Sequence, residues 1–357
     1  MEVPVGGSGK GRRAIGALFV LSALAAGALA YWAYARYQAF VDGPLSGIDA
    51  GDTVLVERGD SFQRVLAKLR DAGVRDGHEL EWRLLGRRLG AAGHLQVGEY
   101  ALEPGISARE VLLRMRDGKV VRHRFTLVEG WNIRELRAAL ERADPLLNET
   151  AELDDAALMA KLGHPGAHPE GRFLPETYLY TRGDSDLDLL GRANTALEAA
   201  LDAAWASRAE DLPLASREEA LVLASIIEKE TGIAEERGEI AGVFARRLQA
   251  GMRLQTDPTV IYGIGSGYDG NIRRRDLQTD TPYNTYTRDG LPPTPIAMAG
   301  AEAIHAATHP APGDTLYFVA VGDGSGRHVF SRTYAEHNAA VRQYVQRYRE
   351  RFAPDSQ

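Results

Sequence analysis

The chain has 357 residues, of which 44% are hydrophobic and 25% are charged, a composition typical of folded domains and long enough for two modest ones. The formal charge of -7 at pH 7 comes with no basic block beyond a short group near the N-terminus, which argues against nucleic acid as a partner. The absence of cysteine excludes disulfide bonds, thiolate catalysis and thiolate metal sites.

The first predicted element is a membrane span. Residues 14–35 carry no charged side chain, and the basic residues Lys10, Arg12 and Arg13 lie immediately before them. About 20 apolar residues cross the hydrocarbon core of a bilayer, and flanking Lys and Arg favour the cytoplasmic side. The sequence therefore predicts a cytoplasmic tail over residues 1–13, a transmembrane helix over residues 14–35, and export of everything that follows.

The rival interpretation of this segment is a cleaved signal peptide. Ala28-Leu29-Ala30 resembles a small-residue cleavage site, but the apolar run is longer than an ordinary signal-peptide core. It also ends in Tyr31, Trp32 and Tyr34, aromatic residues that suit the far membrane interface. An uncleaved anchor is therefore the favoured interpretation.

A short pattern then occurs three times: extended apolar residues, a glycine, and a Ser or Asn that opens a helix. The copies are Gly59-Asp60-Ser61 followed by Val65, Gly105-Ile106-Ser107 followed by Val111, and Gly130-Trp131-Asn132 followed by Leu136. Glycine tolerates the turn, Ser or Asn caps the helix, and the aliphatic residue is the first to face the core. Short β-α units of this kind occur in LysM-like modules, which bind N-acetylated sugar chains, and we expect such a subdomain over residues 50–122. The spacing alone is weak evidence for glycan binding, because many α+β domains open helices this way.

The next stretch leads to a pair of helices. Residues 145–180 are predicted to be an ordered connection containing proline and glycine. A long helix is expected from about Leu187 to Ala209. A second helix is opened by Ser216, with Glu219 three residues on as a capping box.

This second helix carries the main candidate for catalysis. Residues 220–227 read Ala-Leu-Val-Leu-Ala-Ser-Ile-Ile, with no charge on any face, which predicts burial on nearly all sides. At helical periodicity Glu228 continues the buried stripe that contains Ser225, whereas Glu230 points almost opposite. Burial raises the pKa of a carboxyl, so Glu228 is suited to give a proton to a glycosidic oxygen. The alternative is an ordinary solvated helix end, with Ser225 as a small core residue and not as a hydrogen-bond partner that orients the carboxyl.

Residues 255–296 show little periodicity, which is more typical of a functional segment than of an idle loop. They are rich in hydroxyl, amide, tyrosine and proline side chains, which suit the hydrogen bonds and ring stacking that bind sugars. A loop that merely covers the core has a similar composition. Asp257, just before Pro258, is also a candidate helix cap or turn former.

The C-terminal part predicts a hairpin and a helix. Residues 315–320 and 328–331 flank a glycine-rich turn, and a helix is expected from Tyr334 to about Arg351. His305 and His309 have the spacing of metal ligands on a helix, but no third ligand is evident, so neither a metal site nor a cofactor is expected.

Four segments carry a specific resemblance. They read ASIIEKET over residues 224–231, GMRLQTDPTVIYG over 251–263, YNTY over 283–286 and GLPP over 290–293. They resemble the endolytic murein transglycosylases, the YceG-like family, and the similarity covers nearly the whole chain. It implies an α+β fold with an N-terminal transmembrane helix, a small LysM-like subdomain, and a mixed α/β catalytic domain over residues 123–353 with a buried catalytic helix and a C-terminal hairpin plus helix.

The resemblance also implies a function. Such a protein would be a single-pass inner-membrane lyase whose periplasmic domain cleaves the β-1,4 bond between N-acetylmuramic acid (MurNAc) and N-acetylglucosamine (GlcNAc) of nascent glycan strands. It would leave 1,6-anhydroMurNAc ends and terminate strand elongation, with Glu228 as the acid/base. Association with a peptidoglycan synthase in the same membrane is compatible with the span, although no residue identifies one. The predicted substrate-binding residues are Ser225, Glu230, Gln255, Thr256, Asp257, Tyr262, Asn284, Thr285, Tyr286 and Pro292.

Two other functions stay open at this point. A true hydrolase needs two carboxylates flanking the scissile bond, which here would be Glu228 with Asp257 or Glu230. A non-catalytic scaffold would bind glycan and recruit synthases, and would tolerate Glu228→Gln. The products separate the two enzymes, because transglycosylation leaves anhydro ends and hydrolysis leaves reducing ends.

Overall fold

The structure is a computed structural model that describes residues 9–352, so most of the predicted cytoplasmic tail lies outside the described residues. The chain divides into two compact units between Arg122 and His123. The first unit contains α1 (Gly9–Asp42), β1 (Thr53–Val56), α2 (Phe62–Asp71), α3 (Glu79–Arg88), β2 (Gly98–Ala101) and α4 (Ala108–Asp117). The second contains β3 (His123–Thr126), α5 (Ile133–Leu140), α6 (Asp155–Lys161), β4 (Thr177–Tyr180), α7 (Asp186–Ala206), α8 (Arg217–Glu230), α9 (Ala234–Gln249), α10 (Asp257–Ile264), α11 (Arg274–Gln278), α12 (Ala301–Thr308), β5 (Tyr317–Ala320), β6 (His328–Ser331) and α13 (Tyr334–Phe352).

The first unit joins one long apolar helix to a small α+β body. Within α1, Ile15–Asp42 is long and apolar enough to cross a membrane. β1 pairs antiparallel with β2, from Thr53 opposite Ala101 to Val56 opposite Gly98. Buried side chains of the strands and of α2, α3 and α4 form one core, which also takes in the C-terminal end of α1. This strand-helix-helix-strand order agrees with a mixed α+β fold, and its description as LysM-like stays a prediction.

The second unit is built around α8. Every residue from Ala220 to Ile227 is buried, as the uncharged sequence predicts, because α7, α9 and α12 pack around this helix. Two antiparallel strand pairs flank this helical core. β3 pairs with β4, and β5 pairs with β6 in the predicted hairpin. The N-terminal apolar helix and the mixed α+β character of the prediction are thus confirmed.

The three predicted strand-turn-helix copies are also confirmed. Ser61, Ser107 and Asn132 accept hydrogen bonds from backbone N–H groups in the first turns of α2, α4 and α5, respectively. In each copy a short strand precedes a glycine in the left-handed region, with φ of 90° at Gly59 and 91° at Gly105. The glycines are needed there because side chains disfavour that backbone conformation.

Two local predictions were wrong. Ser216 caps α8, but the Glu219 carboxylate accepts from Ala215 N at 2.6 Å and not from Ser216, so the reciprocal capping box does not form. Residues 145–180 are more than a connection, because they contain α6 and β4. Asp154 caps α6 by accepting from Ala157 N, but a seven-residue helix is too short to show clear periodicity in the sequence.

Candidate active site

The last turn of α8 places Glu228 against the segment that leads into α12. Ser225, one turn earlier, donates to Val222 O at 2.7 Å and accepts from Ile296 N at 3.0 Å. Its hydroxyl therefore ties α8 to the segment ending at Gly300 and does not bond the Glu228 carboxyl. Gly300 N in turn donates to Glu228 Oε2 at 3.0 Å. Ser225 and Glu228 thus bond two points of one backbone segment, Ile296 and Gly300.

The carboxyl of Glu228 is withdrawn from water, with its side chain only 5% exposed. Burial is the main cause that raises the pKa of Glu228, and the nearby Glu129 carboxylate raises it further. The Gly300 N–H group, the Arg237 guanidinium and the Lys229 ammonium act in the opposite direction. Glu228 is therefore not an ordinary solvated helix end.

Glu129 and Arg237 form an ion-pair group with Glu228 that the sequence did not indicate. Arg237 Nη2 lies 3.6 Å from Glu129 Oε2 and 3.9 Å from Glu228 Oε1. Glu129 lies here because the residues that follow it pair with Met298: Gly130 N donates to Met298 O at 2.9 Å. Neither residue carries a local signal, since Glu129 reads as part of a turn and Arg237 as a polar residue in the first turn of α9.

Glu230 leaves the same turn in a different direction and lines a cavity of about 300 Å³. Thr256 Oγ1 donates to Glu230 Oε1, and Tyr286 OH donates to Asp257 Oδ1 at 2.6 Å. Burial raises the pKa of Glu230 to about 7, an effect that the Thr256 hydrogen bond opposes and Asp257 reinforces. Five predicted site residues line this cavity, namely Glu230, Gln255, Thr256, Asp257 and Tyr286, together with Arg247, Leu254, Tyr317, Phe318, Tyr334 and His337.

Tyr262 lies in a separate cavity of about 350 Å³, whose lining includes Lys229 and Gly130. Its ring makes a T-shaped contact with Tyr283 at 4.8 Å between centroids. Tyr262 also bonds the fully buried Glu170, whose pKa is raised to about 7 by burial. Because Lys229 follows Glu228 directly in α8, this cavity and the Glu228 carboxyl adjoin the same helix end.

The remaining predicted residues are buried and support the loops. Asn284 donates its amide hydrogens to the carbonyls of residues 276, 277 and 279 and accepts from Tyr286 N at 2.9 Å. Thr285 Oγ1 accepts from Thr256 N at 3.1 Å. Pro292 is buried as well. Asn284 and Thr285 thus hold Thr256 and Tyr286 in place beside the Glu230 cavity.

The histidine pair at the end of α12 is stacked at the surface. The His305 and His309 rings stack with centroids 4.2 Å apart, and His309 is the C-cap of the helix. Across residues 9–352, no group of three or more His, Cys, Asp or Glu side chains is placed to hold a metal ion. His328, on β6, bonds Glu236 at 2.8 Å, which fixes the start of α9 next to Arg237.

The sequence profile of the YceG-like family matches residues 54–343. The chain belongs to this family. It is similar to the endolytic murein transglycosylase of Bacillus subtilis (strain 168), with 33% identity over 273 residues that make up 72% of this chain and 74% of the relative. It is also similar to the endolytic murein transglycosylase of Streptococcus pneumoniae serotype 2, with 25% identity over 349 residues. That match covers 87% of this chain but only 62% of the streptococcal protein, so the chain spans less than two thirds of that relative.

A solved structure is also similar to this chain. The crystal structure of a yceG-like protein from Listeria monocytogenes has 28% sequence identity and a TM-score of 0.49. The match covers 80% of this chain and 98% of the Listeria chain.

Proposed function

We propose that this chain cleaves the β-1,4 bond between MurNAc and GlcNAc by lytic transglycosylation, with Glu228 as the general acid/base. Membership of the YceG-like family and similarity to endolytic murein transglycosylases make the chain a murein transglycosylase, a lyase that acts on peptidoglycan. The observation that supports Glu228 is its setting: a carboxyl 5% exposed, bonded by Gly300 N on one oxygen and close to Arg237 on the other.

One carboxyl is enough for this reaction. Glu228 first gives its proton to the glycosidic oxygen as the bond from C1 of MurNAc to that oxygen breaks. As a carboxylate it then takes the proton of the MurNAc 6-hydroxyl while that oxygen bonds to C1, which closes the 1,6-anhydro ring. Because the nucleophile belongs to the substrate, proximity lowers the barrier and no water enters the product.

The two cavities beside the end of α8 are the proposed substrate-binding surface. Gln255, Asp257 and Tyr286 offer amide, carboxylate and hydroxyl groups to sugar hydroxyls and acetamido groups, and Tyr262 offers an aromatic ring. Thr256 and Glu230 bond each other at the wall of the first cavity. Ser225, Asn284, Thr285 and Pro292 act as buried supports in this proposal.

The apolar α1 supports membrane attachment of the enzyme. We propose a single-pass inner-membrane protein with a cytoplasmic N-terminus, whose second unit lies in the periplasm and cuts nascent strands, thereby terminating their elongation. The LysM-like body would bind the glycan strand. A peptidoglycan synthase in the same membrane is the proposed protein partner.

A two-carboxylate hydrolase is the second candidate, because a second carboxylate does lie near Glu228. That residue is Glu129, which shares Arg237 with Glu228. Asp257 and Glu230, the pair partners expected from sequence, instead line the adjacent cavity. Hydrolysis would consume water and leave a reducing end.

The test is a digestion of purified peptidoglycan by the full chain in detergent, with products identified by mass spectrometry. Internal cuts that carry 1,6-anhydroMurNAc in the wild type and are absent with Glu228→Gln would support the proposal. Glu302→Gln is a matched control, because this exposed glutamate lies in the first turn of α12, next to Gly300. Reducing ends would establish the hydrolase instead, and unchanged cleavage by Glu228→Gln would remove Glu228 from the mechanism.

A further inference from the structure

We infer that Glu129 and Arg237 are positioning residues for both halves of the reaction. In this inference, which rests on the proposed function, Arg237 stabilises Glu228 as a carboxylate after it has given up its proton. Glu129 destabilises the same carboxylate, so that Glu228 can take a proton back. The two residues would thereby let one carboxyl act as acid and base within a single turnover.

The Glu228 carboxyl lies close to a positive charge on Arg237 and to a negative charge on Glu129. Arg237 Nη2 lies 3.9 Å from Glu228 Oε1 and 3.6 Å from Glu129 Oε2, distances of ion pairs and not of hydrogen bonds. The Arg237 side chain is 12% exposed, so its charge acts in surroundings where water screens it weakly. The Glu129 side chain is 47% exposed, so this carboxylate lies at the surface beside the buried Glu228.

Gly300 lies against both carboxylates. Its N–H group bonds Glu228 Oε2, and a Cβ placed on its Cα would lie 2.1 Å from Glu129 Oε1. Its φ is -70°, which any residue can adopt, so the backbone conformation does not require glycine here. The close approach of Glu129 thus requires the absence of a side chain at this position.

The charged and polar groups that act on Glu228 come from different structural elements. The turn after β3 supplies Glu129, α9 supplies Arg237, the segment before α12 supplies the Gly300 N–H group, and α8 itself supplies Lys229. Lys229 Nζ donates a hydrogen bond to Gly130 O at 3.0 Å. Arg237 is less tightly bonded, because its buried Nε has no hydrogen-bond partner among the residues that the structure describes.

The roles follow from the charge changes during turnover. In the first step Glu228 goes from neutral to negative as its proton passes to the leaving oxygen and the glycosidic bond breaks. Arg237 favours this change by attraction, and Glu129 opposes it by repulsion. In the second step the proton of the 6-hydroxyl returns to Glu228 as the bond from O6 to C1 forms, and the same repulsion from Glu129 now drives the transfer.

The test compares pH profiles of kcat/KM for soluble glycan strands cleaved by the full chain. The first step needs protonated Glu228, so the profile falls where Glu228 ionises. Glu129→Gln should move this alkaline limb to lower pH, and Arg237→Met should move it to higher pH. A shift by one pH unit is about a tenfold change in rate on that limb.

Controls distinguish positioning from simple damage. Glu235→Gln removes an exposed carboxylate in the first turn of α9 and should leave the profile in place. Glu129→Asp keeps the carboxylate charge and should therefore show the wild-type pH profile, with any loss of activity confined to kcat. Glu129 is half exposed, so its variants are expected to fold even if Arg237→Met does not. Unchanged profiles for Glu129→Gln, or shifts of both variants in one direction, would overturn the inference. Activity retained by Glu228→Gln would overturn the proposed function instead.

Discussion

Glu230→Gln should change the stability of the second unit in a way that depends on pH. Burial raises the pKa of Glu230 from 4.5 to about 7, so the folded state binds the proton more tightly than the unfolded state. The stabilisation from this proton is fully present below the unfolded pKa and is lost as pH rises through the folded pKa. Between pH 4.5 and pH 8 the wild type therefore loses stability that a glutamine at this position does not lose.

The size of the effect follows from the shift. A pKa change from 4.5 to about 7 corresponds to roughly 3 kcal/mol of unfolding free energy. This value is the upper limit by which the stability of Glu230→Gln, relative to the wild type, should increase from pH 5 to pH 8. The amide oxygen of glutamine can still accept from Thr256, so the variant keeps the existing hydrogen bond. Urea titration with pulse proteolysis at both pH values reports the folded fraction of the second unit in the intact chain. An equal stability difference between variant and wild type at pH 5 and pH 8 would refute the reasoning, and the exposed Glu302→Gln is the control.

Three further substitutions test other parts of this structure. Leu223→Ala should destabilise the second unit by about 2–5 kcal/mol, because this fully buried side chain leaves a cavity in the core around α8; a loss below 1 kcal/mol in the same urea assay would contradict that packing. Ser225→Ala should cost about 1–3 kcal/mol, since Ile296 N loses its buried acceptor, and should lower kcat more than it raises KM; full activity would show that the Ser225 tie does not position Glu228. Tyr286→Phe removes the 2.6 Å hydrogen bond to Asp257 and should raise KM for glycan strands by about tenfold, with kcat nearly unchanged. An unaffected KM would place substrate outside the Glu230 cavity.

Some of the candidate site could be predicted because its signal is local. The uncharged run before Glu228 indicates a buried helix, and helical periodicity puts Glu228 and Glu230 on different faces. In the structure these two carboxyls do contact different elements, Gly300 for one and Thr256 for the other. Periodicity did not indicate that Glu230 also loses contact with water, which happens because residues 254–257 line the same cavity and Thr256 bonds its carboxyl.

Four features could be predicted from sequence alone: the apolar N-terminal helix, the three capped helices after glycine turns, the buried α8 and the C-terminal hairpin. Each depends on hydrophobic periodicity or on a cap within a few residues, so neighbours in the chain suffice to specify it. Which polar residues contact one another depends on tertiary packing. The Asn284 amide bonds carbonyls of its own loop. Glu129, in contrast, lies beside Glu228 because the next residue, Gly130, hydrogen-bonds Met298. These contacts join residues that are far apart in sequence, and no local pattern of charge or periodicity encodes which distant side chain a carboxyl will face.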